Sequence, residues 1–112
     1  DLEIQQERRP QGHGYVLVRV DQENPWFRKG TVLKGHEFHY SRITGGRDEE
    51  RTVVDLERGV GVGSGRDGIV KGRIWASYLH LHVFSVPQWS GAMMDLTTGR
   101  DRRQVERAAA GV

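Results

Sequence analysis

The sequence predicts an α/β chain that is β-rich over most of its length and gathers its helical material at the C-terminal end. Three observations predict it. Short runs rich in β-branched and aromatic residues recur, at 15–18 (YVLV), 51–56 (RTVVDL) and 72–84 (GRIWASYLHLHVF). Asn-Pro, Asp-Gly and many of the 15 glycines punctuate the intervals between them. A single stripe at helical spacing, Trp89, Ala92, Met93 and Leu96, follows only after the last run.

Taken in order, residues 1–13 (DLEIQQERRPQGH) are polar, with a turn-like Pro10-Gln11-Gly12. Residues 15–20 have strand composition but alternate imperfectly. Residues 21–30 read as a loop through Asn24-Pro25, from which Trp26 and Phe27 fold back onto the core. Residues 31–33 and 37–41 read as strand segments broken at Gly35, and 44–50 as a polar loop. The strand at 51–56 leads into 57–67, a hairpin or loop carrying alternating glycines at 59–65. Those glycines invite a phosphate-loop reading, but GxxxxGK[ST] and a following helix are both missing.

Asp67-Gly68 is a tight-turn signal just before the run at 72–84, which reads as one long strand. Alternation puts Ile74, Ala76, Tyr78, His80 and His82 on one face and Trp75, Ser77, Leu79, Leu81 and Val83 on the other. Both faces are largely apolar until the histidines, as in a strand covered on both sides. His80 then falls near the carboxyl end, where open α/β sheets place their ligands. Ser85-Val86-Pro87-Gln88 matches a capping box with proline in the first turn, opening the helix that carries the apolar stripe. Residues 1–97 thus form one unit. The charged, Ala-rich stretch 98–112 reads as a frayed helix or disordered tail.

Composition narrows the function classes. At 112 residues, 36% hydrophobic and 29% charged, the chain is one domain or part of one. With no cysteine, it contains no disulfide, no cysteine metal site and no thiol nucleophile of its own. No run of 18 apolar residues and no signal peptide is present, so no membrane partner is expected and a cytoplasmic location is compatible. A net charge of +2 gives no case for nucleic acid, and Arg100, Arg102, Arg103 and Arg107 read as a solvated face rather than a basic interaction tail. The chain opens in a polar run without a starting signal, which is expected of a fragment.

Four of the five histidines form two pairs, His36/His39 and His80/His82. Two residues apart on a strand, His80 and His82 would point the same way, as a metal site needs, with His36 and Glu37 as further candidate ligands. A cupin barrel uses such a pair, but it requires glycine where Ile74 stands and glutamate where Val86 or Pro87 stands. A second reading is a general base, since a neutral imidazole can take a proton from a nucleophile. The bland reading is that either ring hydrogen-bonds a neighbouring loop.

Two longer motifs in order, GTVLKGHEFHYSRI (30–43) and DGIVKGRIWASYLHLHVFSVP (67–87), resemble the C-terminal part of the cobyrinic acid a,c-diamide synthase family. Its members end in a class I (triad-type) glutamine amidotransferase domain of flavodoxin-like fold. The resemblance runs from about Pro10 to Trp89. It implies an ATP-driven amide ligase in which a cysteine attacks the glutamine carboxamide, a histidine acts as its base and the ammonia amidates a tetrapyrrole carboxylate. Carried over by position, the catalytic histidine is His80, and His39, Tyr40 and Ser41 lie beside the glutamine. His82, Glu37 and His36 are candidates for orienting His80. No metal is implied in these residues, and ATP and Mg2+ are implied only for a separate N-terminal domain.

The sequence departs from the family pattern in three ways. The nucleophilic cysteine is missing, so the fragment alone is expected to be inactive. His82 stands where many class I domains carry the glutamate that orients the histidine. Finally, residues 10–15 (PQGHGY) and 87–89 (PQW) look more like paralogues linked to sirohaem amidation in sulfur-metabolising bacteria. A truncated domain would expose a sheet edge, which predicts self-association into a homo-oligomer. The alternative reading is a non-catalytic, histidine-lined metal- or ligand-binding β module.

Overall fold

The computed structural model describes residues 1–46 and 50–99. Among the described residues seven strands precede one helix: β1 Glu3–Gln6, β2 Gly12–Val20, β3 Val32–His39, β4 Ser41–Gly45, β5 Thr52–Arg58, β6 Arg66–Lys71, β7 Ile74–Ala76 and α1 Pro87–Thr98. Five strands form a sheet in the order β3-β2-β5-β6-β7, and β1 pairs with β4 in a separate ribbon. All of these pairings are antiparallel. The β-rich expectation with a C-terminal helix therefore holds for the described residues. A parallel sheet needs helical crossovers between strands, and the described helix comes only after the last strand.

β2 is the spine. Val16, Val18 and Val20 alternate inward along it, cleaner than the composition suggested, while His13, Tyr15 and Arg19 face outward. These valines join Phe27, Leu33, Val53, Val54, Val70, Leu79 and Val86 in one core. Each such side chain contributes roughly 1.5–3 kcal/mol when fully buried. The loop after β2 delivers Phe27 to this core as expected, because Asn24 shapes it. The Asn24 side-chain oxygen accepts the Trp26 and Phe27 N–H groups, each at 2.9 Å. Phe27 then meets Trp75 edge-on at 5.2 Å, and the Trp26 indole N–H donates to the Arg73 carbonyl at 3.0 Å.

Several sequence expectations are corrected. The polar opening is not featureless: β1 zips onto β4, and Arg42 of β4 pairs with Glu7 at 2.7 Å. β3 runs unbroken through Gly35, which pairs with Val16. Asp67-Gly68 lies inside β6, and the turn falls at Gly72-Arg73, where Gly72 takes φ 58°. Ser85 does not cap the helix. Val86 holds that position with no side-chain cap, since a valine has no acceptor to offer, and its side chain is buried in the core. Proline in the first turn and the packing of Trp89 and Ala92 are as sequence reading expects, whereas Met93 of the same stripe is exposed; the helix ends on a left-handed Gly99. Arg47, Asp48 and Glu49 of the loop at 44–50, and the tail from Arg100 onward, lie outside the described residues.

The largest correction concerns 72–84. Strand pairing with β6 ends at Ala76, and Ile74 is 65% exposed, so no single doubly covered strand exists there. The chain leaves the ladder because the buried Asp67 carboxylate draws in the Tyr78 and Leu79 N–H groups. It then meets the opposite sheet edge. The His80 N–H donates to the His36 carbonyl at 2.7 Å, and the His36 N–H donates to the His80 carbonyl at 3.2 Å. The sheet is thus curled, with the segment after β7 tied to β3 at the far edge.

Candidate functional site

That two-way bridge brings the two motif segments together. Alternation along β3 sorts the first segment: His36 and Phe38 face outward, and Tyr40 beyond it is exposed too. Glu37 and His39 face inward and are only 3% and 8% exposed. The second segment supplies Tyr78, whose ring stacks on His39 with centroids 3.6 Å apart and planes 15° off parallel. The Tyr78 and Ser41 hydroxyls share a hydrogen bond at 2.7 Å. Glu37, His39, Ser41 and Tyr78 therefore form one buried-to-half-buried cluster behind the outer surface.

The polar groups of this cluster are fully engaged. His39 Nε2 lies 3.1 Å from a Glu37 carboxylate oxygen, and His39 Nδ1 lies 2.8 Å from the Ser41 carbonyl. The ring is thus held at both nitrogens. Glu37 also accepts the N–H groups of Val60 at 2.7 Å and Gly61 at 2.9 Å. Burial pushes the Glu37 carboxyl up, but those two N–H groups and His39 outweigh it and hold the group below its ordinary value. The glycine run is therefore not a phosphate cradle: its Val60 and Gly61 amides already hold a carboxylate of the same chain, and no helix follows it.

His80 stands on the outer side with its ring exposed, 6.2 Å from the His36 ring. His36 in turn touches His13 and Tyr15 edge-on at 6.1 and 6.3 Å, and Phe38 contacts His13 and Tyr40. This leaves an imidazole on an accessible, aromatic-lined surface, where a proton acceptor could work on a reactant approaching from outside. Among the described residues no side chain hydrogen-bonds the His80 ring. No strand forms at 80–82 to align His82 with it. The His82 Nδ1 accepts the Phe84 N–H at 3.3 Å instead. Among the described residues no three histidine, aspartate or glutamate side chains converge as a metal ion would need.

Two residues that hold this geometry were not singled out from sequence as site residues. Asp67 read only as half of a turn signal, and Tyr78 only as one position of a long strand. A signal for Asp67 was present: it is a lone carboxylate beside the apolar pair Ile69-Val70, and it is 1% exposed. Burial pushes its carboxyl up to about 6 despite three N–H donors, with the Glu37 charge adding to the rise.

Comparison with known proteins places both segments in one family. Residues 1–88 match the family of CobB/CobQ-like glutamine amidotransferase domains, a span that includes both motifs. The cobyrinate a,c-diamide synthase of Methanosphaera stadtmanae is 36% identical over 83 residues, covering 73% of this chain and 18% of that protein. That of Magnetococcus marinus is 36% identical over 89 residues, 80% of this chain and 19% of the relative. The Methanocaldococcus jannaschii enzyme is 39% identical over 85 residues, 76% of this chain and 19% of the relative. The chain thus spans under a fifth of the length of the relatives it matches. No solved structure matches it.

Proposed function

The chain belongs to the CobB/CobQ-like glutamine amidotransferase domain family, and on that premise we propose that it is the histidine-bearing portion of an amide synthase acting on tetrapyrrole carboxylates. The observation that carries the reading is the bridge between His36 and His80, which seats the two motif segments side by side with the His80 ring exposed. In this reading a cysteine from another part of the protein attacks the glutamine carboxamide. His80 takes the thiol proton and returns it to the departing ammonia, which is the division of labour of a nucleophile and its base. Residues 39–41 lie beside the glutamine, with Tyr40 and the main chain as the accessible contacts, while His39 and Glu37 brace that segment from behind.

The ammonia would then attack the carbonyl carbon of an ATP-activated carboxylate and expel its phosphate to form the amide, with ATP and Mg2+ held by a separate N-terminal domain. The curled sheet would complete a flavodoxin-like domain together with residues outside this chain. Lacking a cysteine, the 112 residues would have no glutaminase activity by themselves. The relatives' names favour cobyrinate as the macrocycle, and 10–15 (PQGHGY) keeps sirohaem as the substrate to test against it.

The test uses the intact protein with both macrocycles and both nitrogen donors. His80→Ala is expected to lower glutamine-dependent synthesis by about 10²- to 10⁴-fold while sparing synthesis from free ammonia. Equal loss with both donors would overturn the role assigned to His80.

A further inference from the structure

We propose that Asp67 and Gly35 are positioning residues for His80, fixing the imidazole through its backbone rather than through a partner on the ring. This rests on the reading of His80 as the base. Among the described residues no carboxylate hydrogen-bonds the His80 ring, and position 82 is a histidine occupied with the Phe84 N–H. Two sets of contacts pin the main chain just before and at His80.

From inside, one Asp67 oxygen accepts the Gly68 N–H at 2.8 Å, which fixes the carboxylate on its own strand. The other oxygen accepts the Tyr78 and Leu79 N–H groups, both at 3.2 Å. Those are the two residues that lead directly into His80. From outside, the His80 peptide is paired in both directions with His36. That pairing is possible only because Gly35 has no side chain. A Cβ there would run into the His80 carbonyl oxygen and stand 2.6 Å from the Leu79 side chain. A carboxylate buried to this degree is unfavourable on its own account. It forces the chain off the β6–β7 ladder and onto β3, which is where an exposed His80 results.

The experiment compares Asp67→Ala, Asp67→Asn, Gly35→Ala and His80→Ala in the intact protein. Two quantities are measured: synthesis rates with glutamine and with ammonia, and deuterium uptake of the segment 78–80. Asp67→Ala and Gly35→Ala are each expected to lower the glutamine-dependent kcat by about 10²-fold, the scale of a reacting group displaced by about 1 Å. The ammonia-dependent rate is expected to be retained and uptake at 78–80 to increase. Asp67→Asn keeps one acceptor oxygen and is expected to fall between wild type and Asp67→Ala, and it decides the matter if the alanine variant does not fold.

A merely structural role would depress both nitrogen donors together, and that result overturns the proposal. So does a glutamine-dependent rate left at the wild-type level while 78–80 exchanges faster. If His80→Ala itself keeps glutamine-dependent synthesis, the base assignment fails and this proposal falls with it. Uptake at 78–80 in Asp67→Ala would still report the carboxylate's hold on the chain, so the two failures are told apart.

Discussion

Gly12 lies opposite His39 in the β2–β3 register, and the buried Glu37–His39 hydrogen bond depends on that emptiness. A Cβ at Gly12 would run into the His39 Nε2 and stand 2.7 Å from the Glu37 carboxylate. The neighbours cannot yield easily, because every polar atom of the pair already has a partner and His39 is clamped against Tyr78. Gly12→Ala should therefore destabilise the chain by about 3 kcal/mol, the range of an overpacked core joined to a strained buried pair. Urea unfolding followed by tryptophan fluorescence checks it, and a change under about 0.5 kcal/mol, the usual surface value, would show that the pair relaxes freely. Glu37 and His39 were legible as motif residues. Gly12 was not, because what it must avoid lies on another strand 27 positions away in the sequence.

At the scale of elements, sequence reading succeeded where local chemistry decides and failed where a distant group intervenes. β2, β5 and the loop holding Phe27 follow from composition and turn residues. The break after Ala76 does not, since the Asp67 carboxylate that causes it belongs to the neighbouring strand. Helix α1 shows both outcomes. Its start is set by Pro87 and by burial of Val86, so the Ser85 hydroxyl contributes no cap. Ser85→Ala should accordingly change stability by less than about 0.5 kcal/mol, where loss of a working serine cap would remove about 1 kcal/mol. Gly91 sits inside the same helix with open space around it. Gly91→Ala should stabilise by roughly 0.5–1 kcal/mol. Thermal unfolding of both variants provides the check, and a marked loss in Ser85→Ala would restore the capping box.

For the molecule as a whole, the curled sheet places carboxylates with opposite shifts in one structure, and their pH signatures separate. Asp67, pushed up to about 6 by burial from an ordinary 3.8, binds its proton more tightly folded than unfolded. Stability from this group is therefore full below about 4 and is lost as pH rises from there through about 6. By about 1.4 kcal/mol per pKa unit, the loss is roughly 3 kcal/mol. Asp21 runs the other way. Its bidentate hydrogen bond with Arg66 holds it below its ordinary value. Glu37 is also lowered, so both contribute stability above their ordinary values that is lost as pH falls through the folded ones. Asp67→Asn isolates the first effect. The unfolding free energy of the native chain minus that of the variant should fall by up to about 3 kcal/mol between pH 4 and 7. A flat difference curve would mean that the Gly68, Tyr78 and Leu79 N–H groups fully offset burial, leaving the carboxylate in place at no cost to the fold.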